Sequence, residues 1–221
     1  MKEGVLKAGI SRDKCTMIPN MSKPDEFYPR EISIDVLKQF DIDSNKFNVV
    51  HFGSMGRANG LEYIIETAKY LKEKGDKSIN FIFMGDGATL PSLMRMVDEC
   101  GLTNVKFLGN HKMTIVSEIV NCCNASITSF LDLPILYTNS PNKLFDSLSA
   151  GKPIIVNSAG WTKDLVEKEN CQVEFVFSNN SLDILKYTNN VINCDIHTRY
   201  KTKEMLEKAN ANVFGLFEIM N

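Results

Sequence analysis

An open, doubly wound α/β sheet is the fold this sequence predicts, and three observations carry the prediction. Short apolar runs alternate with amphipathic stretches through most of the chain, the pattern of strands linked by covering helices. Glycines stand where the end of a strand must turn toward a helix, at Gly53, Gly85 and Gly109. Several runs are also too continuous for strands that face water on one side: in Ile79 to Met84, Asn80 is the one polar residue, as expected of parallel strands covered on both faces.

Taken in order, Met1 to Gly9 reads as the tail of a helix, Lys14 to Ile18 as a strand, and Pro19 to Arg30 as an extended linker containing three prolines. Asn48 to Phe52 is the first core strand and Gly53 to Asn59 a loop. The helix after that loop places Leu61, Ile64, Ile65, Ala68 and Leu71 on one face. Ile79 to Met84 is the next strand, turned by Gly85-Asp86-Gly87 into a helix that points Leu90, Leu93, Met94 and Val97 inward. Val105 to Leu108 is the third strand, Thr114 to Cys123 a helix, and Ala125 to Ser129 the fourth strand. A loop from Phe130 to Asn139 leads to a well-signalled helix. Ser140 suits its N-cap and Pro141 its first helical position; Leu144, Phe145 and Leu148 give the buried stripe before Gly151 stops it. Lys152-Pro153 opens strand five, Ile154 to Val156. A short helix at Lys163 to Lys168, a sixth strand at Val173 to Phe177, a helix through Leu182, Leu185, Val191 and Ile192, and a long terminal helix from Thr198 to Asn221 complete the expectation.

At 221 residues the chain is long enough to bury one substantial core. A net charge of −2 with 24% charged residues gives no reason to expect a polyanion partner, so no nucleic acid is expected. No apolar run approaches the ~20 residues that span a bilayer, and Met1-Lys2-Glu3-Gly4 does not open a signal peptide, which makes the cytoplasm the expected location. The six cysteines, at 15, 100, 122, 123, 171 and 194, lack both paired C-x-x-C spacing and histidines placed for zinc. They are expected to be free and buried, with Cys122 and Cys123 serving packing. Asp41-Ile42-Asp43 precedes strand one and reads as a surface turn, so no metal and no cofactor is expected.

Two strand-to-helix loops could carry chemistry. Gly53-Ser54-Met55-Gly56-Arg57-Ala58-Asn59-Gly60 lies where open α/β sheets bind ligands; its glycines let backbone approach a phosphate, and Arg57 could clamp two phosphate oxygens. A plain structural loop fits that pattern equally well. The helix beginning near Pro141 offers unpaired N–H groups and the positive end of a dipole, with Ser140, Asn142 and the charge of Lys143 beside it. Asp146 sits one turn deeper, where it could accept from sugar hydroxyls or simply be an exposed helix residue.

The run from Asn139 to Gly160 resembles the donor-nucleotide segment of the large family of retaining glycosyltransferases numbered four, which has the two-domain GT-B architecture. Within it, the likeness is to the bacterial surface-polysaccharide branch, where a Pro-x-Lys start, a Phe-Asp or Phe-Glu pair and an Ala-Gly-Lys-Pro stop recur. It extends from Ile18-Pro19-Asn20 through Gly53 to Gly60 and Gly85-Asp86-Gly87 to Trp161. The resemblance implies a nucleotide-sugar substrate, UDP-linked by family inference. It places the donor diphosphate at Gly53, Met55, Gly56, Arg57, Ser140, Pro141, Asn142 and Lys143, and the ribose at Asp146. The base or sugar falls near Gly85, Asp86, Gly87, Gly109, Asn110 and Thr138. Residues 1–30 then correspond to an interdomain hinge and 31–221 to the donor domain; an N-terminal acceptor domain is missing, through which the whole enzyme would associate peripherally with a membrane.

This chain departs from the family's pattern at three positions. An Arg normally follows the first loop glycine and a Lys precedes the last, where Ser54 and Asn59 stand; Arg57 and Lys143 are the expected replacements. Thr138 holds the place of a carboxylate that the family directs at the transferred sugar. No nucleophile, base and orienter come together among His51, His111 and His197, so no catalytic residue is named. A sugar-nucleotide 2-epimerase and a stand-alone nucleotide-binding or assembly module remain as alternatives. A dinucleotide dehydrogenase is disfavoured, because Met55 and Ala58 stand where G-x-G-x-x-G needs glycine.

Overall fold

The computed structural model of the protein describes residues 2–16, 20–157, 159, 160 and 162. Ile18, Trp161, the helix at Lys163 to Lys168, the strand at Val173 to Phe177 and everything expected beyond them lie outside the described residues. Five strands form one all-parallel sheet in the order β3-β2-β1-β4-β5: β1 is Phe47–Phe52, β2 Ile79–Met84, β3 Val105–Gly109, β4 Ala125–Thr128 and β5 Ile154–Val156. Each strand expected between residues 47 and 157 forms, with ends shifted by no more than a residue.

Helices α1 (Lys2–Lys7), α2 (Ile34–Gln39), α3 (Glu62–Glu73), α4 (Leu90–Glu99), α5 (Met113–Cys122) and α6 (Asn142–Ser149) accompany the sheet. Alternation along the strands builds two cores. Val49, Phe81, Phe83 and Ile127 pack with the α3 stripe of Ile64, Ile65, Ala68 and Leu71, with Leu93 and Val97 of α4, and with Leu144 and Phe145 of α6. Val50, Phe52, Ile82 and Met84 pack with Val36 and Leu37 of α2 and with Val116, Ile119 and Val120 of α5. Burial of these side chains is the main favourable term holding the layers together.

The structure corrects the expectation in four places, the first being Met94, which is exposed on α4 and not turned inward with Leu93 and Val97. Lys14 ends a 3-10 turn, Arg12–Lys14, closed by its N–H donating to the Ser11 carbonyl at 3.1 Å, so it does not open a strand; a polar Ser-Arg-Asp-Lys run has no apolar face to bury. Helix α2 was not expected at all. Ser33 caps it by accepting from the Val36 N–H at 3.3 Å, and the helix is too short for its apolar period to be read. Helix α6 begins at Asn142, with Pro141 in extended conformation as its N-cap rather than its first residue. Ser140 does not cap it, because the Ser140 hydroxyl accepts from the Asn20 backbone N–H at 3.2 Å.

Residues 20–30 have no regular structure beyond a turn, yet they are packed onto the sheet domain. Phe27 is 1% exposed and stacks on Phe52 with ring centroids 5.9 Å apart, while the Ser149 hydroxyl donates to the Phe27 carbonyl. At the far end of α6, the ammonium of buried Lys152 donates to the carbonyls of Asn121 and Cys123, the latter at 2.7 Å. A cation there satisfies carbonyls left over at the end of α5.

Candidate functional site

Strand order sets the location. The chain runs outward from β1 to β2 and β3, then returns to place β4 on the other side of β1, so the loops after β1 and β4 diverge at the carboxyl edge of the sheet, where open α/β sheets leave a crevice.

The loop after β1 is fixed by backbone. The Gly53 N–H donates to the Met84 carbonyl at 2.9 Å and the Met55 N–H to the Asp86 carbonyl at 2.8 Å; the Met55 carbonyl accepts from the Thr89 N–H at 3.0 Å and its hydroxyl at 2.7 Å. Asn59 is buried and spends its side-chain amide on the Ser54 carbonyl at 2.7 Å, so the residue in the family's lysine position serves the loop's shape. Gly85 and Gly87 are explained by this packing. A β-carbon at Gly85 would stand 2.0 Å from the Gly53 carbonyl oxygen, and one at Gly87 2.5 Å from that of Met55. Asp86 is exposed, its carboxylate accepting from the Gly87 N–H at 2.7 Å. Gly109 accepts from the Gly85 N–H at 2.8 Å and faces open space, with Asn110 exposed beside it.

Helix α6 forms the other wall. Its Lys143 is half-buried and reaches the β1 loop: the ammonium nitrogen lies 3.9 Å from where a β-carbon on Gly53 would be, and 3.3 Å from Nε2 of His51. Burial lowers the Lys143 pKa to about 8, which leaves the side chain mainly charged at neutral pH. His51 is 1% exposed, and burial first, then the Lys143 charge, hold it well below the usual histidine range.

Asp146 is 8% exposed, which excludes the exposed-helix reading; one oxygen accepts from the Ser22 hydroxyl at 2.8 Å. Burial raises its pKa to about 6, against the opposing hydrogen bond from Ser22. Ser140 is held from the same segment, by the Asn20 N–H and by the Asn20 amide on its carbonyl.

Of the residues picked out from sequence, the structure therefore brings Gly53 and Lys143 together, with Met55, Gly85, Asp86 and Gly87 forming the adjoining loop layer. Arg57 lies exposed on a 3-10 turn, Arg57–Asn59, and no carboxylate pairs with it among the described residues. Gly56 is partly exposed, Pro141 buried, and Asn142 exposed at the start of α6. Thr138 is exposed at the end of the 3-10 turn Pro134–Thr138. Two residues that sequence reasoning left out of the site belong to it: His51 beneath Lys143, and Ser22 against Asp146. Among the described residues, no cluster of His, Cys, Asp and Glu could hold a metal ion, and no helix is long and apolar enough to cross a membrane.

The profile of the family described as "Glycosyl transferases group 1" matches residues 46–192, more than half of the chain. The chain belongs to that family. Over 109 residues it is 28% identical to WcaI of Escherichia coli (strain K12), a glycosyl transferase assigned to colanic acid biosynthesis, a match covering 48% of this chain and 26% of WcaI. Its fold is that of HepE from Anabaena, solved with UDP and glucose, at TM-score 0.73 and 16% identity over 98% of this chain and 60% of HepE. It is also that of WaaG, a glycosyltransferase involved in lipopolysaccharide biosynthesis, at TM-score 0.70 and 14% identity over 89% of this chain and 53% of WaaG. The C-terminal domain of LpcC, a group 1 glycosyl transferase from Francisella tularensis, matches at TM-score 0.60 and 17% identity, covering 87% of this chain and 97% of that domain. This group 1 chain thus has the Rossmann-like fold of a GT-B C-terminal domain, and it spans 60% or less of WcaI, HepE and WaaG.

Proposed function

We propose that this chain is the donor-binding half of a retaining glycosyltransferase that moves a sugar from a UDP-linked donor to a surface-glycan or lipid-linked acceptor. The observation that carries the proposal is the Lys143 ammonium beside Gly53, at the divergence of the loops after β1 and β4. A diphosphate there receives a half-buried cation and the start of α6 from one wall, with exposed Arg57 free to swing onto it from the other. Breaking the anomeric C–O bond leaves negative charge on the diphosphate. A cation already partly desolvated at that point stabilises the charge more strongly than one in water. Asp146 keeps an oxygen not engaged by Ser22, which suits the ribose hydroxyls, and Thr138 contributes no charge to the sugar side. Residues 1–30 act as hinge and 31–221 as the donor domain, and the acceptor is held by a partner domain on the cytoplasmic side, in peripheral contact with the membrane. UDP is preferred to other nucleotides on the strength of HepE, which was solved with UDP and with UDP-glucose.

Calorimetric titration of uridine, UMP, UDP, GDP, ADP and NAD tests this reading. Lys143→Ala and Arg57→Ala should each weaken UDP by about 1.5–3 kcal/mol, the range for a charge-assisted contact, with much less effect on uridine. A clear preference for NAD, or parent-like UDP binding by both variants, overturns it.

A further inference from the structure

We propose that His51 is a positioning residue for Lys143: a buried, neutral imidazole that accepts one ammonium proton and so aims the remaining two at the donor diphosphate. The inference rests on the donor-site reading above and adds to it a residue on β1 that lies beneath the crevice floor.

A lysine is a point charge on four flexible carbons, and without a fixed partner it surrenders rotamer entropy each time it is placed on a ligand. A carboxylate partner would fix it but would also neutralise it and compete with phosphate. An imidazole acceptor fixes it and leaves the charge intact. His51 has the required rigidity: it lies one residue before the end of β1, paired in register with Phe83 of β2, and its ring packs on the Phe83 ring at 6.0 Å between centroids. The ammonium has protons to give and no lone pair, so the 3.3 Å contact makes Nε2 the acceptor and puts the imidazole proton on Nδ1. Among the described residues, buried Nδ1 makes no hydrogen bond of good geometry, although the backbone at Ser54 and Ile127 pulls on the ring. A position that served packing alone would be better filled by an apolar ring, since a buried donor left unsatisfied is destabilising. The contact to Lys143 is one that the imidazole makes and a phenyl ring cannot. Burial and the neighbouring Lys143 charge keep His51 in the neutral form that the contact needs, against the opposing pull of the backbone at Ser54 and Ile127.

The test is a double-mutant cycle read by UDP and uridine titration, using the full chain with His51→Phe, His51→Gln and Lys143→Ala, singly and combined. His51→Phe should weaken UDP about tenfold and leave uridine within about twofold. His51→Gln, which keeps an acceptor, should recover most of the loss. On the Lys143→Ala background, His51→Phe should have no further effect, because the group it acts through is gone. A tenfold loss that persists without Lys143, an equal loss for uridine, or no loss for UDP overturns the inference. If Lys143→Ala weakens UDP while His51→Phe is silent, this inference alone fails; if Lys143→Ala is itself silent, the donor-site reading fails with it. Nitrogen NMR of the unmodified chain supplies a readout that no substitution can confound. The Nδ1-protonated tautomer of His51 is expected, and the Nε2-protonated one would rule the arrangement out.

Discussion

Asp146 is held by two opposed requirements. Burial disfavours its charged form and raises its pKa to about 6, whereas in the proposed reading hydrogen bonding to ribose is best served by the carboxylate. The stability consequence follows from the sign of the shift. The folded chain binds the Asp146 proton more tightly than the unfolded one, whose reference value is 3.8, so this group favours folding below about pH 4 and that contribution is lost as pH rises through about 6. Asp146→Asn keeps an acceptor for the Ser22 hydroxyl and removes the buried charge. It should therefore stabilise the domain at pH 7 by on the order of 1 kcal/mol, after a discount for residual solvent screening, with the gain disappearing toward pH 4. The same change should weaken both uridine and UDP. Thermal melts across pH 4 to 7.5, paired with titrations, check it; a gain that does not vary with pH would show that the carboxylate is not desolvated as described. In the proposed reading Asp146 lowers stability while serving a ligand, the trade expected at a binding site.

At the level of elements, the β1 and β2 loops behave as one unit, because their backbones touch. Gly85 sits at φ 124 with the Gly53 carbonyl where its β-carbon would go, so packing against the neighbouring loop is enough to require the glycine. Gly85→Ala should destabilise the domain by about 2–4 kcal/mol through strain and clash, and should displace Gly53 enough to weaken UDP as well. Gly4→Ala is the control: among the described residues nothing lies within 4 Å of where its β-carbon would be, so it should be neutral or slightly stabilising in α1. Denaturant melts of the two variants decide the matter, and equal midpoints would contradict the loop-on-loop packing. A related dependence joins residues 20–22 to α6. Asn20 on Ser140 and Ser22 on Asp146 tie a segment expected as linker to the helix that carries the site.

For the whole molecule, the relevant fact is that the chain spans 60% of HepE while matching 97% of the isolated LpcC C-terminal domain. In the proposed reading the donor site is contained in residues 31–221 and acceptor positioning is not. Purified residues 1–221 should bind UDP yet transfer no sugar, because holding the acceptor hydroxyl at the anomeric carbon supplies much of the rate enhancement. An assay with a UDP-sugar and a lipid-linked acceptor measures this, and robust product formation would refute it.

The sequence by itself determined the sheet, its all-parallel character and most of the residues facing its two cores, though not exposed Met94 or the contributions of Phe27, Val36 and Leu37, because period and continuity of apolar residues are local properties that burial enforces strand by strand. It also marked Gly53, Lys143 and Asp146 as residues of interest, through helix-start chemistry and family resemblance. Helix α2 and the start of α6 were misjudged where the signal is weakest, in a six-residue helix and around a proline whose neighbour's hydroxyl was taken from 120 residues away. Only the tertiary structure decided which side chain meets which. His51 reads as an ordinary strand residue until a helix 92 positions later lays Lys143 on it, and Ser22 reads as linker until it meets Asp146. Contacts of that kind depend on how elements cross in space, which no local pattern encodes, and they are the contacts that set charge, protonation and aim at the crevice.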